Sequence, residues 1–213
     1  MPLRLEEPPL APCRPHPGRT MTEAEFVAWC DEEIRAEWVD GEVIVIAPDN
    51  TWHNRIVLFL YSIISGVVEA HGRGTVMVEG IQMRFAKLRR RRQPDIIFIA
   101  KERQHIIKTN HVEGPPDLAV EVISPDSPAR DYRDKYQEYE AAGVREYWIV
   151  DPLAQRVEAY ALGRNGRYTP IPERDGRIPS RVLPHLYIKP AWLWREPLPN
   201  WLRILRELGA LKK

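Results

Sequence analysis

The chain has 213 residues, 44% of them hydrophobic, a length and an apolar share that suit one globular domain with extensions. Lys and Arg number 31 against 30 Asp and Glu, a net charge of +1, which excludes a broadly basic nucleic-acid-wrapping protein and leaves only a local surface for such a partner. The longest strongly apolar stretch, Ile56–Val68, has 13 residues, short of the roughly 20 that a membrane-spanning helix needs. No basic region followed by an apolar block opens the chain, so no secretory signal is read and no membrane partner is expected. Cys13 and Cys30 have a spacing that suits neither a zinc site nor a disulfide framework, and a cytoplasmic location is the expectation.

Pro2, Pro8, Pro9, Pro12, Pro15 and Pro17 forbid regular structure, and residues 1–20 are read as an extended arm. Thr22-x-x-Glu25 is a capping box, and Phe26, Cys30 and Ile34 follow at four-residue steps, predicting a short amphipathic helix. Glu37–Val39, Asp40-Gly41 and Glu42–Ile46 read as a hairpin on an Asp-Gly turn. A helix is predicted over Thr51–Ala70, with Ile56, Leu60, Ile63, Ile64 and Val67 as its buried stripe. Thr75–Phe85, Asp95–Ala100 and Asp117–Ile123 are rich in Val, Ile and Phe and bounded by breakers, and read as three strands. Residues 101–116 read as a polar loop.

Ser127–Ala142 reads as a helix with Tyr132, Tyr136 and Tyr139 on one face and Gly143 as its left-handed cap. Tyr147–Val150, Val157–Leu162, Tyr168–Ile171 and Val182–Leu186 are further strands. Asn200 caps a short surface or interface helix carrying Leu202, Leu205 and Leu208. Helices and strands in this order pack as an α/β (α+β) domain, a central mixed β-sheet flanked by helices.

Two carboxylates stand out. Glu121 lies inside an apolar strand whose Val120 and Val122 point to the opposite face. A central strand of a mixed sheet should be apolar on both faces, so a carboxylate there needs a partner, either a cation or a basic side chain. Asp95 opens the preceding strand after Pro94. Two carboxylates on neighbouring strands make a hard-oxygen site of the kind Mg²⁺ uses, with waters and phosphate oxygens completing its shell. The structural alternatives are a salt bridge for Glu121 on an edge strand and a turn role for Asp95. Lys135 lies on the next helix beside the tyrosine face and can extend toward the sheet, or pair with Asp131 four residues earlier. Arg130, Arg133 and Glu138 read as solvated. Arg89, Arg90, Arg91 and Arg92 form a cationic run that could hold a nucleic-acid backbone or be a solvated loop. Trp192, Trp194 and Trp201 could stack bases, cover a core or form a dimer contact.

Pro94-Asp95, Leu118–Pro125, Asp131-x-x-x-Lys135-x-x-x-Tyr139 and Ala142–Pro152, preceded by Glu37–Glu42, Ala47-Pro48 and His53, occur in an order that resembles one family. It is the Uma-two family of restriction-endonuclease-like proteins, within the PD-(D/E)xK nuclease superfamily, and the resemblance runs from about Thr22 to Pro190. It implies a restriction-endonuclease-like domain over residues 21–190, with a Trp- and Leu-rich extension at 191–213. It also implies a site that cleaves DNA phosphodiester bonds with Mg²⁺ or Mn²⁺, with Asp95 and Glu121 as metal ligands and Lys135 completing the catalytic set. Glu37 and His53 match recurrent polar positions and take supporting roles. The superfamily's usual lysine stands two residues after the glutamate, where this chain has Ile123; in similar families it has moved to the following helix, which matches Lys135. A homodimer is expected because the Trp-rich C-terminal segment is apolar for an exposed tail and, by the same analogy, because cutting both strands commonly needs two sites; a non-catalytic module that binds nucleic acid or protein is the alternative reading.

Overall fold

The computed structural model describes residues 20–30, 34–46, 50–123 and 129–211, the side chains of residues 129–132 excepted. The proline-rich arm, Ala47-Pro48 and Ser124-Pro125 lie outside the described residues. In chain order the elements are α1 (Glu23–Trp29), β1 (Ala36–Val39), β2 (Glu42–Val45), α2 (Thr51–Ala70), β3 (Gly74–Val78), β4 (Gln82–Phe85), β5 (Arg90–Arg92), β6 (Ile96–Ala100), β7 (His111–Glu113) and β8 (Leu118–Val122). They continue with α3 (Ala129–Ala142), β9 (Glu146–Asp151), β10 (Arg156–Leu162), β11 (Tyr168–Pro170), β12 (Ile178–Pro179), β13 (Tyr187–Ile188), α4 (Pro190–Leu193) and α5 (Trp201–Glu207).

A six-stranded sheet in the order β11-β10-β9-β8-β6-β3 forms the centre. It is mixed: β8 and β9 run parallel, and the other neighbours are antiparallel. Alternation along the strands supplies both its faces. Ile96, Phe98, Leu118, Val120 and Trp148 face α2, whose stripe of Ile56, Leu60, Ile63, Ile64 and Val67 is buried against them. Ile97, Ile99, Ala119, Tyr147 and Ile149 face the other way, toward Tyr139 of α3 and toward Met83, Phe85 and Val112 of a second, five-stranded sheet. That sheet has the order β2-β1-β5-β4-β7.

The local chemistry explains the ends of the elements. The capping box at Thr22 is formed from both sides, Thr22 accepting from the Glu25 N–H and the Glu25 carboxylate accepting from the Thr22 N–H. The Asn50 side chain accepts from the N–H of His53 and starts α2. Gly143, at φ 91°, ends α3, and its N–H and that of Val144 donate to the Tyr139 carbonyl.

Several expectations are corrected. Thr75–Phe85 is two strands in different sheets, because Glu79 and Gly80 take positive φ values of 40° and 73° and turn the chain between them. The first helix stops at Trp29, with Cys30 as an extended C-cap. The loop at 101–116 holds a 3-10 turn over Lys101–Ile106 and the strand β7. The strand expected at Val182–Leu186 is absent from that place; β12 and β13 flank it. The last helix is part of the core: Ile204, Leu205 and Leu208 are buried together with residues of α2, and Trp192 is buried beside them. Among the described residues, no helix is long and apolar enough to cross a membrane.

Candidate active site

β6 and β8 run antiparallel with Ile96 opposite Val120 and Ile97 opposite Ala119. One further step of that register sets Asp95 across from Glu121, at the same end of the two strands. Residues directly opposite on adjacent strands lie within about 5.5 Å of each other, so the two residues are neighbours, and the Asp95 charge is one of those that act on Glu121. Asp95 is buried, and its Oδ2 accepts from the N–H of Val122 at 2.6 Å. The Nε2 of His53, in the first turn of α2, stands 3.4 Å from the same oxygen. Glu121 faces α3. Its Oε2 accepts from the Lys135 ammonium at 3.0 Å and its Oε1 from the Tyr139 hydroxyl at 2.7 Å. The two donors are four residues apart, one turn of α3, so a single helix face presents both.

A second layer holds the lysine. Glu37, in β1, lies 3.2 Å from Lys135 Nζ through its Oε1. Glu37 also accepts from the N–H of Gln93 at 3.0 Å and from Arg92 at 2.7 Å. Arg92 then grips both oxygens of Glu138, on α3, through two further nitrogens. The small sheet, the large sheet and α3 are thus tied together at the point where the carboxylates meet.

The charges set the ionisation of the group. Burial raises the Glu121 pKa; Lys135 opposes that, Asp95 and Glu37 reinforce it, and the result is about 7 against an ordinary 4.5. Burial also works against a charged Glu37, but Lys135 and Arg92 outweigh it and its pKa falls. Lys135 loses hydration by burial, yet Glu121 and Glu37 beside it raise its pKa, so the ammonium keeps its proton at neutral pH. Burial, then the charge of Glu121, pushes the Tyr139 hydroxyl well above its usual range, which keeps it a donor.

The expected residues Asp95, Glu121, Lys135, Glu37 and His53 are therefore brought together. The arginine run is placed differently. It forms β5 rather than a solvated loop, and Arg90, Arg91 and Arg92 pair with Glu138, Glu23 and Glu37 inside the protein. Of the four, Arg89 keeps the outward side chain, 64% exposed and paired with the equally open Asp40. Glu138, read as solvated, is a partner of two arginines. Tyr139 closes the motif that runs from Asp131 through Lys135 but carried no role there, and Arg92 was visible only as one of a row of cations, with nothing in its spacing to mark it for this site. Ile123 lies on the Glu121 face and packs against the apolar cluster there, so no base stands two residues after the glutamate and Lys135 reaches it from the facing helix.

A mixed sheet that sets an aspartate across from a glutamate, with a lysine paired to the glutamate, is the arrangement of restriction-endonuclease-like proteins. The family model described as "Uma2: Putative restriction endonuclease" matches residues 23–190, and the chain belongs to that family. The crystal structure titled "putative nuclease belonging to DUF820" from Anabaena variabilis superposes with a TM-score of 0.71 at 21% identity, over 82% of this chain and 97% of that one. An uncharacterized protein of Synechocystis is 26% identical over 145 residues, 67% of this chain and 81% of its own length.

Among the described residues no three His, Cys, Asp or Glu side chains converge as a metal-holding group. That donor set still fits Mg²⁺, which takes one or two carboxylates and keeps several waters. Asp95 and Glu121 are the residues that would hold it. Glu37 is fully engaged by Arg92, Gln93 and Lys135.

Proposed function

We propose that this protein is a divalent-metal-dependent nuclease that hydrolyses phosphodiester bonds of DNA, with Asp95 and Glu121 as metal ligands and Lys135 as the third catalytic residue. The observation that carries the reading is the meeting of the three side chains: two carboxylates opposed across β6 and β8, and an ammonium 3.0 Å from one of them. Bound Mg²⁺ or Mn²⁺ supplies Lewis-acid polarisation of a phosphoryl oxygen and acidifies a water. The chain's own groups do the rest. The Val122 N–H fixes one oxygen of Asp95. The Tyr139 hydroxyl fixes one oxygen of Glu121, and the Lys135 ammonium holds the other. Lys135 stays charged and sits where it can orient a water and balance the charge that develops on the phosphate. His53 lies against Asp95 and Glu37 against Lys135; both position those groups.

Purified protein should cut members of a broad DNA panel with Mg²⁺ or Mn²⁺, and EDTA should stop it. Lys135→Ala should lower the rate about a hundredfold or more without loss of cation binding, because the ammonium acts on water and phosphate. Cleavage that persists in EDTA would reject the metal. Cutting both strands of a duplex calls for two such sites, so a homodimer is expected by sedimentation at micromolar concentration, and a monomer there would count against it. The second reading is a non-catalytic module that binds nucleic acid or protein. What favours it is that both Glu121 oxygens are engaged within the protein; it requires silence across the whole panel under every ion.

A further inference from the structure

The site already contains a cation of its own. Lys135 Nζ lies 3.0 Å from Glu121 Oε2 and 3.2 Å from Glu37 Oε1, on a side chain only 16% exposed. A buried carboxylate needs a counter-charge, and here the ammonium provides it. Each other oxygen of the two glutamates has a fixed partner: Glu121 Oε1 takes the Tyr139 hydroxyl, and Glu37 Oε2 takes Arg92. Glu121 Oε2 is therefore the oxygen whose partner can be exchanged. A divalent ion drawn to it meets the ammonium at hydrogen-bond range, and two positive groups competing for one oxygen repel. Glu37 offers the displaced ammonium a seat it already half occupies, and Glu37 is itself held by the Gln93 N–H and by Arg92, so it need not move.

We propose that Lys135 is the resting counter-cation of Glu121, and that a divalent ion binding at Asp95 and Glu121 shifts it onto Glu37. The inference rests on the metal-site reading above and adds a regulation to it. Glu37 becomes the acceptor for the lysine, a positioning residue rather than a metal ligand, and Tyr139 pins Glu121 while its other oxygen changes partner. Lys135 balances Glu121 until an ion takes its place, and the ammonium leaves that carboxylate only then.

The test uses the full chain and Mn²⁺ alone, with free Mn²⁺ read by electron paramagnetic resonance. Lys135→Met, which keeps the aliphatic bulk, should bind Mn²⁺ about tenfold more tightly than the native protein, since the ion no longer displaces a charge-assisted hydrogen bond. Asp95→Asn should lose the binding. Should Lys135→Met fail to fold, crystals of the native protein with Mn²⁺ decide: Lys135 Nζ should lie beyond hydrogen-bond range of Glu121 and within it of Glu37. Equal Mn²⁺ affinity in native and Lys135→Met proteins, or an ammonium still on Glu121 in the loaded crystal, overturns the displacement and leaves the metal site standing. Asp95→Asn binding Mn²⁺ as the native protein does overturns both.

Discussion

Glu121 has an ordinary pKa of 4.5 and titrates at about 7 in the folded protein, raised by burial and by the charges of Asp95 and Glu37 against the pull of Lys135. Below 4.5 the folded and unfolded chains both hold the proton and the group costs nothing. As the pH rises from there, the unfolded chain releases its proton first, so stability falls until the folded group has also ionised, and the penalty is complete above about 7. A cation bound as proposed would hold the ionised carboxylate and offset that penalty, so the rise in melting temperature on adding Mg²⁺ should be small near about pH 5.5 and large near about pH 8. A shift that does not change over this range would separate Glu121 from the ion. A second buried carboxylate, Glu146, has a structural task. Fully enclosed in β9, it accepts from Trp148 Nε1 at 2.6 Å, from Ser180 Oγ at 3.0 Å, and from the N–H groups of Arg181 and Val182 at 2.6 Å and 2.9 Å. In Glu146→Gln the amide NH₂ must face one of those donors, and denaturant titration should show a loss of about 2–4 kcal/mol. A loss below about 0.5 kcal/mol would mean that the segment 180–182 is held by other means.

At the scale of elements, α5 lies against α2 because Gly66 has no side chain. A methyl group there would stand 2.4 Å from Leu205 Cδ1 and 2.8 Å from Cδ2, so the buried Leu205 side chain would have to shift within the core. Gly66→Ala should therefore destabilise by about 1–2 kcal/mol, although alanine is the better helix former. In a Leu205→Ala background the same substitution should be neutral or stabilising, and additivity of the two changes would refute the contact. The sequence was readable where one local signal ruled: the period of α2 gave its bounds, and Asp40-Gly41 gave the hairpin. It failed where distant partners ruled. The split between β3 and β4 depends on two sheets recruiting adjacent segments, and alternation is alike in both. The strand β5 consists of three arginines, which no strand pattern favours; it exists because Glu23, Glu37 and Glu138 arrive from three other elements. Within the site, Asp95, Glu121 and Lys135 were recognisable as ordered motifs, and the opposition of the first two follows from register. Tyr139, Arg92 and Glu138 needed the helix to be docked before their roles appeared.

At the scale of the whole molecule, the family match ends at residue 190, but the core does not. Trp192, Leu193, Ile204, Leu205 and Leu208 belong to the same buried cluster as α2 and the large sheet. Burying five large apolar side chains is worth roughly 10 kcal/mol, comparable with the stability of an entire domain. A chain ended after Lys189 should accordingly fail to give a cooperative melting transition, whereas a stable, soluble fragment would show that the extension is an accessory. The same architecture brings three bodies of structure to one point: the large sheet carries Asp95 and Glu121, α3 carries Lys135 and Tyr139, and the small sheet carries Glu37 and Arg92. The most direct measurement is Mg²⁺-dependent cleavage of the DNA panel by the native protein beside Asp95→Asn and Glu121→Gln, purified in parallel. The substitutions keep size and remove the charge that would hold the ion, so the account predicts cleavage by the native protein and none by either variant. Cleavage that survives in both variants would contradict it.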